Sequence, residues 1–84
     1  MIDFDEAKDI ANLAKHGVSL SRAKELEIEA RIRDTRRDYG EPRLLAFGRI
    51  DGQPYCLAYT IRDGRVRAIS LRRAHQKEYL RHVR

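Results

Sequence analysis

Eighty-four residues are enough for one small domain, since a chain this short buries only ~60% of its unfolded surface and leaves no material for a second core. The net charge of +5 is uneven, with residues 1–34 at −2 and the remainder at +7, and fourteen of the eighteen basic residues are Arg. The lone Cys56 excludes an internal disulfide. The scattered His16, His75 and His82 show no zinc spacing, and neither a signal-peptide core nor a run of ~18 apolar residues is present. The expectation is a single domain over residues 1–84, without metal or cofactor, working in the cytoplasm, with its basic part facing a polyanion.

In chain order, residues 2–4 suit a short edge strand. A helix follows, with Ala7, Ile10, Ala11 and Ala14 at helical spacing. Two starts are open: Asp3 with Glu6 forms a capping box, while Asp5 would cap a helix that begins after the strand. Gly17 is placed as a left-handed end residue behind Lys15 and His16, whose positive character suits the negative end of the helix dipole. Ser19 then caps a second predicted helix through Leu20, Ala23 and Leu26. After it the period falls to two, with Ile28, Ala30 and Ile32 alternating with charged residues as in a half-buried strand. Residues 35–42 form a polar loop.

Three strands near residues 43–50, 54–61 and 65–71 are divided by Asp51-Gly52 and Asp63-Gly64, both strong hairpin signals. Tyr55, Leu57 and Tyr59 face one way and Cys56 and Ala58 the other, which makes this strand central. On its neighbour, Val66, Ala68 and Ser70 are expected opposite Arg65, Arg67, Ile69 and Leu71. A last helix over residues 74–83 would pack through Tyr79, Leu80 and Val83. The class is α+β: a short N-terminal strand, two helices, a four-stranded antiparallel meander and a C-terminal helix, with the helices on one sheet face.

The segment from Arg65 to His75 reads as a strand that delivers Arg72 and Arg73 to the start of the final helix. Arg presents a planar fork of donors and holds its charge, so arginines placed there suit bidentate binding of phosphate.

Phe4-Asp5, the run Asn12-Leu-Ala-Lys-His-Gly-Val-Ser19, the run Tyr39-Gly-Glu-Pro-Arg43 and the run Ile69-Ser-Leu-Arg-Arg-Ala74 occur in the order found in the BrnT family, which this chain resembles over nearly its whole length. The resemblance implies a RelE-like fold and a ribonuclease toxin of a type II toxin–antitoxin system. It also implies an RNA substrate and neutralisation by a BrnA-type ribbon-helix-helix antitoxin, with operator DNA reached only through the antitoxin complex. Four positions depart from the pattern: Phe4 for Trp, Leu20 for Phe, Leu71 for Ala, and His75 for Ser or Thr. Leu71 and His75 adjoin the implied site.

Metal-free RNA cleavage needs a proton acceptor for the 2′-hydroxyl and cations on the phosphorane oxygens. Arg43, Arg72 and Arg73 are the candidates for the phosphate, and surface ion pairing with Glu41 or Glu78 is the ordinary alternative. Arg72 and Arg73 cannot face alike on a strand, and which one faces the site is open. His16 and Glu41 both qualify as the base. His16 otherwise serves as a helix end, and Glu41 as an ion-pair partner. Lys15, Tyr39, Arg67 and His75 are candidates for RNA binding, Tyr39 by stacking. The competing function is a basic module that binds nucleic acid or an acidic partner without catalysis.

Overall fold

The computed structural model describes residues 2–83. Of the two helix starts, Asp5 is the one used: its carboxylate accepts the Ala7 amide at 2.8 Å, and α1 (Glu6–His16) follows. Gly17 closes it at φ 74° and donates to the Leu13 carbonyl at 2.9 Å, a conformation in which a Cβ would be strained. The second predicted helix forms as a 3-10 segment, Leu20–Glu25, with Ser19 at its N-cap. Six residues give too few α-type bonds to hold a full helix, and the tighter turn ends at Leu26.

The strands are β1 (Ile2–Asp3), β2 (Glu27–Arg33), β3 (Leu44–Ile50), β4 (Gln53–Arg62) and β5 (Arg65–Arg73), followed by α2 (Gln76–His82). The antiparallel meander of β2 to β5 forms as expected. The sheet differs in having five strands and mixed direction, because β1 pairs parallel to β5 through Ile2–Val66 and Asp3–Arg67. Asp51-Gly52 and Asp63-Gly64 turn the hairpins with all four residues at positive φ, the geometry whose twist matches that of the strands.

A bulge corrects the expected alternation on β5. Ala58 pairs with Ser70 but Tyr59 with Ala68, so Ile69 is an extra residue, and an extra residue inverts every side chain beyond it. Val66, Ala68 and Leu71 therefore share one core with Leu57, Tyr59 and the 3-10 segment. Ile69 joins Phe47, Cys56, Ala58 and Tyr79 in the other. The apolar helical contacts thus lie on both sheet faces, with the 3-10 segment over one and α2 over the other. Leu80, expected to pack, is 55% exposed. The seven-residue α2 buries Tyr79, and Val83 adds a partial contact.

The first helix is also turned about from expectation. Ala7, Ile10, Ala11 and Ala14 are exposed, and the only buried α1 residue is Asn12. β1 covers β5 only at Val66 and Arg67, which leaves the later backbone of that edge to be satisfied by another group. Asn12 does this as a strand would: its Oδ1 accepts from the Leu71 amide at 3.0 Å and its Nδ2 donates to the Leu71 carbonyl at 2.8 Å. The same Nδ2 donates to the Val18 carbonyl at 2.9 Å. Asp9, one turn earlier, accepts from the Leu20 amide and the Ser19 hydroxyl at 2.7 and 2.8 Å. A polar inner face therefore fixes α1, where an apolar stripe usually would.

Candidate active site

Bonding Asn12 to Leu71 brings the end of α1 against the C-terminal part of β5, and a groove of about 350 Å³ forms between them. It is lined by Lys8, Ala11, Asn12, Lys15, His16, Ile69, Ser70 and Arg72. Three of the expected residues meet here: Lys15 and His16 from the helix end, and Arg72 from the strand. Two more, Lys8 and Ser70, complete the polar lining. Lys8, Asn12 and Lys15 stand at i, i+4 and i+7, so their common helical face was legible in the sequence; which strand that face meets was not.

Among the described residues, no carboxylate lines this groove. The His16 imidazole is held below its ordinary value of 6.5 first by desolvation and then by the charges of Lys15 and Arg72. It is therefore neutral at neutral pH, with a lone pair available to accept a proton. Arg72 is 28% exposed and is held by Glu78 through two bonds, at 2.8 and 2.9 Å. The ordinary ion-pair alternative is thus realised for Arg72, yet the residue also lines the groove, because a planar guanidinium can bind a carboxylate along one edge and present other donors elsewhere. Ser70 pairs with Ala58 and Arg72 with Cys56, so both side chains lie on the α2 side of the sheet.

Arg73 takes the opposite face: it donates to Gln53 Oε1 at 2.8 Å and sits 5.8 Å over the Tyr55 ring. The bulge and strand alternation thus assign Arg72, not Arg73, to the groove. Arg67 is likewise outside it, opposite Thr60 on β4 and Asp3 on β1. His75 is the exposed N-cap residue of α2 and makes no side-chain capping bond.

The remaining candidates gather in the loop from β2 to β3. Here a cavity of about 540 Å³, larger than the groove, is lined by Arg33, Arg37, Arg43 and Tyr39, but also by Asp34, Asp38 and Glu41. Buried Asp34 organises this loop. It takes two bonds from the Arg36 guanidinium at 2.8 Å each and one from Tyr39 Oη at 3.1 Å, and these hold its carboxyl well below the usual carboxylate range. Arg43 lies 3.7 Å over the Tyr39 ring, with its Nε buried and without a hydrogen-bond partner. Glu41 pairs with Arg62 at 3.0 Å, so it is an exposed ion-pair partner. Arg36 lines, with Glu78, Arg81 and His82, a pocket of about 240 Å³ between the loop and α2.

Cys56 adds no nucleophile. Burial pushes its thiol up to about 11, so it stays protonated at neutral pH. No helix among the described residues is long and apolar enough to cross a membrane.

The groove therefore combines three cations, a hydroxyl and a neutral imidazole. This set suits a phosphate whose neighbouring hydroxyl must lose a proton. Comparison with known proteins agrees in kind. No curated protein gives a significant match, but the family model described as "Ribonuclease toxin, BrnT, of type II toxin-antitoxin system" matches residues 4–78. That span includes α1, the loop, all of β5 and Glu78, and the chain belongs to the BrnT family of ribonuclease toxins.

Proposed function

We propose that this toxin is a metal-independent, RelE-like endoribonuclease of the cytoplasm, with the α1–β5 groove as its active site. His16 takes the 2′-hydroxyl proton, and the freed oxygen attacks the adjacent phosphorus. Arg72 and Lys15 stabilise the charge that builds on the non-bridging oxygens. The P–O5′ bond breaks, and the departing O5′ takes a proton from solvent or from a groove ammonium. The products are a 2′,3′-cyclic phosphate and a 5′-hydroxyl. Arg43, Tyr39 and Arg36 hold RNA beyond the scissile phosphate, Tyr39 by stacking. Glu41, Arg67, Arg73 and His75 have no step in the reaction. The partner is a BrnA-type ribbon-helix-helix antitoxin, through which operator DNA is reached.

The observation that carries this reading is the convergence of His16 with Lys8, Lys15 and Arg72 in a groove that no carboxylate of the described residues lines. The Glu78 contacts of Arg72 favour the competing reading, in which the arginine braces α2 and the basic surface binds without cleaving. Replacing His16 or Arg72 with Ala separates the two. On the nuclease reading, cleavage of purified RNA to cyclic-phosphate ends falls by ~10²–10⁴-fold for His16→Ala and ~10²–10³-fold for Arg72→Ala, while both variants still bind RNA. Full cleavage in both variants would overturn the assignment.

A further inference from the structure

The exposed face of α1 has no function within the chain. On a helical projection, Ile10, Ala14, Ala7 and Ala11 form a contiguous apolar face, with Leu13 set off from Ile10 by Glu6 of the first turn, and Ile10 and Leu13 are 64% and 53% exposed. Asp9, Asn12 and His16 occupy the opposite, inward side. An amphipathic helix gains most by turning its apolar stripe inward. Here three Asn12 bonds and the two made by Asp9 hold the reverse orientation, as expected of a helix whose apolar side is buried by something else.

We infer that this face is where the antitoxin docks, through a segment with an apolar stripe flanked by carboxylates that extends over the groove and closes it. The identity of the partner rests on the toxin reading; the chemistry of the segment rests on α1 itself. Lys8 and Lys15 flank the apolar face on the side that carries Ala11, and Ala11 both belongs to that face and lines the groove. A segment seated on Ile10 and Leu13 with acids toward Lys8 and Lys15 therefore runs directly onto His16 and Arg72. A helix of eleven residues is only ~16 Å long. Alone it offers less than the ~800 Å² per partner of a stable interface, so the segment must continue past it, and the groove is the adjoining surface. A second copy fits less well, because a two-fold interface matches each patch with itself and would bring these lysines together on a chain of net charge +5.

The test is titration of the purified antitoxin encoded in the same operon against the full-length toxin and its Ile10→Gln/Leu13→Gln variant. Gln is a good helix former that adds no charge. The expected result is binding weakened roughly 30-fold or more, with RNA cleavage at the wild-type rate but no longer suppressed by antitoxin at concentrations that silence the wild type. Unchanged affinity would overturn the inference. So would a wild-type toxin that is dimeric by light scattering alone and monomeric in the variant, since the face would then belong to a second copy. If the nuclease reading is the part that fails, neither protein cleaves RNA, and the loss of antitoxin affinity still reports on the docking face.

Discussion

The groove and the β2–β3 loop are both rich in cations, and they differ in what surrounds the charge. In the loop, Asp34 binds Arg36 and Tyr39, Glu41 binds Arg62, and Arg43 lies on Tyr39. In the groove, Lys8 and Lys15 stand beside a desolvated imidazole with no carboxylate in the lining. On the proposed reading, density of arginine does not mark the site in this molecule. Lysines without a carboxylate beside them, next to a group that can accept a proton, do.

The comparison is sharpest where the two regions are perturbed separately. The largest effect is the loss of cleavage on removing His16 or Arg72. Arg43→Ala, in the loop, is expected to cost only about 10-fold, as the loss of one contact to flanking RNA. A larger loss for Arg43 than for Arg72 would exchange the roles of the two regions.

Next in size is the anchor of the groove. Asn12→Ala removes three hydrogen bonds and leaves the buried amide and carbonyl of Leu71 without partners, so it should destabilise the fold by about 2–4 kcal/mol, measured as a lower urea midpoint. The corresponding change in the loop, Asp34→Asn, weakens charged bonds to Arg36 and Tyr39 and should cost about 1–3 kcal/mol. Wild-type stability also falls in acid through Asp34. Its folded carboxyl lies below its ordinary 3.8, so the contribution is complete well above that value and is lost as pH drops through it toward the folded pKa. Asp34→Asn should remove that part of the acid sensitivity.

The strands and their turns were legible because their causes are local. Alternating side chains, Asp-Gly pairs that tolerate positive φ, and Gly17 behind a basic helix end each act within a few residues. Three features had distant causes. The bulge at Ile69 is decided by pairing with β4, and it alone sends Arg72 toward α2 and Arg73 away. Parallel β1 depends on Ile2 meeting Val66, sixty-four residues on. The orientation of α1 follows from an Asn that completes a sheet edge, while a wheel drawn from Ala7, Ile10, Ala11 and Ala14 points the helix the wrong way. The candidate site was accordingly half legible: Lys15, His16 and Arg72 were named, but their convergence in one groove depends on Asn12 and the bulge, and Arg43, named with them, lines the loop cavity instead.

The central claim is that His16, neutral beside Lys15 and Arg72, accepts the proton. It is tested most directly by kcat/KM for cleavage of a short RNA from pH 5 to 8. Because the imidazole is held below 6.5, activity should rise with pH, reach half its maximum below 6.5 and be level at neutrality, and His16→Ala should lose this acid limb along with most of the rate. A His16→Ala profile that superimposes on the wild type, in height and in shape, would contradict the account.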